Sequence, residues 1–352
     1  MWHAQCHGFG HTVPMINCYS LPVWDVGDGA DAMNKPLHIC SPLLESLPMA
    51  KRAGCKVFVK CDNTQPSSSF KIRGIGHRIQ KAIQKGGKHI ICSSGGNAGF
   101  ATAYAARQLG MPATIVIPES TPTFVADGLR NEGANVIVRG KVWDNANEYA
   151  LKLAEETDGS IVIHPFDHPD VWEGHSSVIA ECEREIPSKP DAVIICIGGG
   201  GLLCGVVQGM QKAGWQDVPI IAMETRGADS YNQAVMAGEL VTLPDITSKA
   251  KCLGALTVCR RSLECYKEHP IISVVVDDRD AVNGCLKFLD DQRMLVELAC
   301  GAALSCIYSN VLTDLQDSGK LRKDLQSVLL IVCGGSSISL DRLLEYKSSV
   351  GL

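Results

Sequence analysis

Sixteen cysteines are spread along this 352-residue chain, yet no CxxC pair occurs among them. That absence excludes a zinc ribbon or a thioredoxin-type redox motif. Most of the cysteines sit in apolar runs, as at Cys92, Cys196 and Cys333. They read as reduced thiols packed as small hydrophobes, which leads us to expect a cytoplasmic protein. No block of like charges occurs and the net charge is only -5, so a general nucleic-acid binder and a polybasic membrane anchor are both excluded. No Lys or Arg precedes Lys35 and no continuous apolar stretch lies there, so a secretory leader is not expected. One uncharged segment, 192–211, has the length of a membrane span, but it contains Gly198-Gly199-Gly200-Gly201. A buried strand, a glycine turn and a buried helix account for it better, so no membrane association is expected.

What is present is an ordinary globular composition, 45% hydrophobic and 20% charged, long enough for one large or two medium domains. Residues 1–34 read as an N-terminal extension without periodicity. His3, Cys6, His7 and His11 could chelate a metal there, but a loosely ordered terminus is the stronger reading. From Lys35 onward short β-branched runs predict strands at 57–60, 89–92, 113–117, 135–138, 161–163, 192–197, 219–223, 272–276 and 328–332. Amphipathic segments at 99–109, 144–156 and 279–289 alternate with them. This alternation predicts α/β architecture with parallel sheets covered on both faces. The number of strands predicts more than one sheet.

Four segments carry candidate chemistry. In Pro66-Ser67-Ser68-Ser69-Phe70-Lys71-Ile72-Arg73-Gly74, a lysine at a helix start lies between a hydroxyl-rich turn and an apolar residue. Partly dry surroundings would turn that lysine into an amine nucleophile, although most lysines are solvated surface charges. Cys92-Ser93-Ser94-Gly95-Gly96-Asn97-Ala98-Gly99 follows a strand and opens a helix, leaving backbone N–H groups to meet an anion such as a substrate carboxylate. A plain capped turn explains this segment equally well. Gly198–Gly201 with Leu202 lets the backbone wrap a phosphate at a helix start. It fails the dinucleotide pattern, because Leu203 or Cys204 stands where the last glycine belongs, and no Gly-Lys-Ser/Thr follows for a P-loop. In Val332-Cys333-Gly334-Gly335-Ser336-Ser337 a neutral thiol ends a strand, where it would make only a weak hydrogen bond. A reactive lysine, a carboxylate nest, a phosphate cup and a neutral polar group together describe a pyridoxal phosphate site.

PSSSFKIRG, CSSGGNAG, GGGGLLCGVVQG, IAMET and IVCGGSS closely resemble the animal serine dehydratase/threonine deaminase enzymes of the tryptophan-synthase β fold, nearest to the serine dehydratase-like branch. The resemblance runs from about residue 36 to the C-terminus and includes PFDHP…WEGH and LVELACGAAL. It implies pyridoxal-phosphate fold type II: two open twisted, mostly parallel sheets flanked by helices. A large cofactor domain would comprise 35–66 and 169–352, and a smaller domain 67–168. It also implies roles. Lys71 would carry the cofactor covalently, Phe70 would pack on its ring, and Asn97 would bond its 3-hydroxyl. Gly198, Gly199, Gly200, Gly201 and Leu202 would hold its phosphate, and Cys333 would face the pyridine nitrogen. Ser94, Gly95, Asn97 and Ala98 would bind the substrate carboxylate. Glu224, with backbone carbonyls near Gly198, Ala228, Leu253 and Ala255, would hold a monovalent cation, potassium by preference.

The implied reaction is β-elimination: L-serine to pyruvate and ammonia, and L-threonine to 2-oxobutyrate and ammonia, by a homodimer acting on small amino acids. Two departures stand out. Gly95 occupies the place where racemases of the fold carry a serine acid/base, and the missing hydroxyl favours dehydration over racemisation; other dehydratases carry an alanine there, so glycine is expected to loosen the fit around the substrate and reduce activity. Leu298 follows Glu297 where relatives usually have proline, so a local backbone change is an expectation. Two competing readings share these motifs: a β-replacing synthase of the same fold, and a cofactor-holding protein with little turnover.

Overall fold

A computed structural model describes residues 35–352. The extension 1–34, with His3, Cys6, His7 and His11, lies outside the described residues. Among the described residues, ten strands divide between two sheets. They are β1 (Leu43–Glu45), β2 (Lys56–Cys61), β3 (His89–Cys92), β4 (Ala113–Ile117), β5 (Asn135–Val138), β6 (Ser160–Val162), β7 (Ala192–Cys196), β8 (Ile220–Thr225), β9 (Ile271–Val276) and β10 (Ser327–Val332). The six-stranded sheet runs β1-β2-β10-β7-β8-β9 and the four-stranded sheet β5-β4-β3-β6. Every pairing is parallel except β1 with β2 at one edge.

The central strands β7, β8 and β10 are buried at every residue, as unbroken apolar runs in a sheet covered on both faces must be. One cover is the helix Leu298–Tyr308, itself buried along its whole length. The uncharged segment 192–211 folds as β7, a glycine turn and the buried helix Gly201–Lys212. Among the described residues no single helix is long and apolar enough to cross a membrane.

The structure differs from the sequence reading mainly at ends. β1 carries no periodic signal because it is three residues long and two of them are exposed. The strand expected at 161–163 is shifted to Ser160–Val162. The helix expected at 279–289 runs Asp278–Gln292, opened by a reciprocal capping box between Asp277 and Asp280. The helix expected from residue 99 starts at Asn97, which moves Asn97 and Ala98 into its first turn, where N–H groups lack intrahelical acceptors.

Candidate active site

Tertiary contacts gather all four sequence segments. The serine turn before Lys71 is stitched to the loop after β10: the Phe70 N–H donates to the Cys333 carbonyl (2.9 Å) and the Gly335 N–H to the Ser68 carbonyl (2.7 Å). Ser68 has φ +62°, a left-handed conformation that this double stitch holds in place. Lys71 then opens the helix Lys71–Gln84, and its Nζ donates to the Pro165 carbonyl at 2.7 Å. The next residue, Phe166, braces the glycine loop. A Cβ on Gly199 would overlap the Phe166 ring, and one on Gly201 would lie 2.5 Å from the Phe166 carbonyl oxygen. The loop reaches the helix Gly201–Lys212 through Gly200 at φ +87°, a conformation open to glycine at no steric cost. Asn97 meets Ser336 of the fourth segment.

Burial pushes the Lys71 ammonium down from 10.5 to about 8. Phe70 lies beside it, with Lys71 Nζ 5.2 Å from the Phe70 ring centroid. The buried His175 ring backs Phe70, centroid to centroid at 4.9 Å. The Cys333 sulfur is 3.4 Å from that of Cys196. Hydrogen bonding with Cys196 and Cys300, together with burial, holds Cys333 well above the ordinary thiol range, so it is a neutral S–H.

A family model described as pyridoxal-phosphate dependent enzyme matches residues 35–334. The chain belongs to this family. It is 52% identical over 321 residues to a mouse L-serine dehydratase/L-threonine deaminase, covering 91% of this chain and 98% of that relative. It is 54% identical over 320 residues to a human serine dehydratase-like protein, covering 91% and 97%. A fungal L-serine ammonia-lyase from Rhizomucor miehei superposes with a TM-score of 0.84 at 39% identity, covering 89% of this chain and 99% of the fungal one.

The residues present fit the cofactor of this family. Among the described residues, the N–H groups of Gly198, Gly199 and Gly200 meet no protein acceptor, and those of Gly201 and Leu202 lie in a helix's first turn. These five donors lie on consecutive residues of the loop and the helix start, where the helix dipole favours an anion such as a phosphate. The buried hydroxyl of Ser69 is likewise unpartnered.

In the second segment, the Ser94 hydroxyl accepts the Gly96 N–H at 3.2 Å and Ala98 is buried in the first turn of the helix Asn97–Gln108. Gly95 abuts the next connection. A Cβ there would lie 3.1 Å from Thr121 Cγ2 and 3.2 Å from Ile117 Cγ2. Glu224 is buried at the end of β8 and accepts the N–H groups of Tyr231 (2.9 Å) and Asn232 (2.7 Å). Burial pushes its carboxyl up to about 8, and those two N–H groups pull against it. Gly198 packs beside Leu253. The Ala255 carbonyl accepts from Ser230 Oγ (2.8 Å), and the Ala228 N–H closes a turn onto the Thr225 carbonyl (2.9 Å).

Several contributors had no role assigned from sequence. Arg73, two residues beyond Lys71, is wholly buried between Asp62 and Glu181, with both ion pairs at 2.7 Å. Buried Lys60 joins the same cluster through Glu181 at 2.9 Å. This network clamps the lysine helix to β2 and to the helix Pro169–Glu185. Pro165, Phe166, Glu297, Ser336 and Ser337 all lie inside stretches that carried the resemblance, but nothing local says what each touches. Leu298 is the first residue of its helix, after Glu297 as N-cap. That position suits proline and leucine alike, because no intrahelical bond starts from its N–H, and the helix is unbroken there.

Proposed function

We propose that this chain is an ammonia-lyase that removes the β-hydroxyl and the amine of L-serine, giving pyruvate and ammonia, and of L-threonine, giving 2-oxobutyrate and ammonia. The carrying observation is Lys71: an amine pushed toward neutrality, set between a neutral thiol and a cup of unpaired N–H groups, in a family member whose close relatives bear these activities in their names. When bound, pyridoxal phosphate supplies an electron sink for negative charge developing at the substrate Cα.

Everything else is done by side chains and backbone. The N–H groups of Gly198, Gly199, Gly200, Gly201 and Leu202 would hold the phosphate. Phe70, backed by His175, would pack on the ring, and Asn97 would donate to the ring's 3-oxygen. The first turn containing Asn97 and Ala98, with Ser94 and Gly95, takes the substrate carboxylate. Lys71 Nζ, neutral in a substantial fraction near pH 8, accepts the Cα proton. Cys333, a neutral thiol, would face the pyridine nitrogen without supplying a full charge there, an arrangement suited to loss of the β-substituent. Gly95 offers no hydroxyl on the face opposite Lys71, so return of a proton from that face lacks a donor.

We also place a monovalent cation, potassium by preference, beside Glu224 among the carbonyls near Gly198, Ala228, Leu253 and Ala255. A buried carboxylate with no cationic partner is costly, and a cation there offsets it. The free thiols of the described residues accord with a reducing, cytoplasmic setting, and the resemblance to the family carries the expectation of a homodimer. The test is keto-acid release from L-serine and L-threonine in potassium buffer by the native protein and by Lys71→Ala. Product from the native protein alone is the expected result. No product from native protein that carries the cofactor would overturn the reading.

A further inference from the structure

Asn97 follows β3 of the four-stranded sheet, whereas Glu297 caps a helix packed on the six-stranded sheet and Ser336 follows β10. These distant segments meet in one hydrogen-bond cluster. Asn97 Nδ2 donates to Glu297 Oε2 at 3.0 Å. Asn97 Oδ1 accepts from the Ser336 N–H at 2.9 Å and from Ser336 Oγ at 3.1 Å. Glu297 Oε1 accepts the Ser337 N–H at 2.8 Å. Glu297 is buried, and Gly335 at φ +146° makes room for it, since a Cβ there would overlap the Glu297 carboxyl.

A carboxamide has two acceptor lone pairs and two N–H donors. Ser336 occupies both lone pairs and Glu297 takes one N–H, which leaves a single N–H unspent. The orientation is forced by the Ser336 N–H, which can only donate, so Oδ1 must face Ser336 and the amide nitrogen must face Glu297; burial pushes the Glu297 carboxyl up, and the Ser337 N–H and the Asn97 amide pull against it. We propose that Glu297 is a positioning residue: with Ser336 it locks the Asn97 carboxamide so that the remaining N–H faces the cofactor's 3-oxygen, and it latches the four-stranded layer to the six-stranded one. The proposal rests on the functional reading above, in which Asn97 faces the cofactor.

The test uses the cofactor-loaded protein and three variants. In Glu297→Gln the side chain must meet two donors, Asn97 Nδ2–H and the Ser337 N–H, with only one acceptor. One N–H is left facing another, or Asn97 turns over. Asn97→Asp alone sets two carboxylates against each other. In the double variant Asn97→Asp/Glu297→Gln every cross-layer bond is restored: the aspartate accepts from Ser336 and from the glutamine amide, and the glutamine oxygen accepts from Ser337. The N–H toward the cofactor is then gone.

We expect each single variant to melt at lower temperature than the native protein and the double variant to recover. All three should show a shifted visible absorbance band and roughly tenfold weaker cofactor retention, since one buried hydrogen bond is lost or misdirected. Glu297→Gln that folds with the native band and native cofactor affinity would overturn the proposal. So would a double variant no more stable than the singles, which keeps the idea testable if Glu297→Gln folds poorly. Native protein that fails to take up pyridoxal phosphate would instead sink the functional reading itself.

Discussion

Lys71→Met exchanges an ammonium for an apolar chain of similar length at the centre of the site, and the structure sets the size of the effect. Burial takes the Lys71 ammonium from 10.5 in the unfolded chain to about 8 in the folded one, so the charged form is disfavoured on folding. That drop corresponds to about 3 kcal/mol, and the solvent contact Lys71 retains reduces the figure to about 1–3 kcal/mol. The sign follows from proton counting. Below pH 8 both states bind the proton and the folded protein bears the full penalty. Between about 8 and 10.5 the unfolded chain binds more protons than the folded one, so stability of the lysine protein rises with pH. Above 10.5 both states are neutral and the penalty is gone. Cofactor-free Lys71→Met is therefore expected to be about 1–3 kcal/mol more stable than cofactor-free native protein at pH 7, in urea unfolding followed by tryptophan fluorescence. The gap should close as pH approaches 10.5. Every other lysine titrates in both proteins and cancels in the difference. A methionine variant no more stable at pH 7, or a gap that does not shrink with pH, would refute the claim that a dry site makes this lysine a nucleophile.

Other substitutions read different parts of the site. Arg73→Leu leaves the buried carboxylates of Asp62 and Glu181 without their guanidinium and should cost roughly 3–5 kcal/mol in denaturant unfolding. Gly201→Ala sets a Cβ 2.5 Å from the Phe166 carbonyl oxygen, and cofactor titration should show affinity lower by roughly tenfold or more. Gly95→Ala sets a Cβ 3.1 Å from Thr121 Cγ2, so Thr121 must give by a few tenths of an ångström; adding Thr121→Ser, which removes that methyl, should raise serine turnover above that of Gly95→Ala alone. If Glu224 holds the cation, Glu224→Gln should abolish the difference in activity between potassium and sodium buffers.

Local patterning was enough to single out the four segments that the fold brings together. A lysine at a helix start, glycine runs at strand ends and a thiol closing a strand are signals contained within a few residues, because turn geometry and helix termini depend on near neighbours. The central strands were equally legible, since a parallel strand buried on both faces reads as an apolar run. Short β1, with two of its three residues exposed, carries no such run. Helix limits depended on caps, as with Asp277 and Asp280.

What the sequence by itself determined, then, was the set of groups able to act and the layered architecture around them. Which groups meet was decided only in three dimensions. Asn97 finds Glu297 200 residues away and Ser336 239 away, and Lys71 finds the Pro165 carbonyl 94 residues on. Partners at such separations leave no periodic trace in the chain. The dryness that moves Lys71 and Glu224 arises only when both sheets and their covering helices have closed around them, because desolvation belongs to the packed whole.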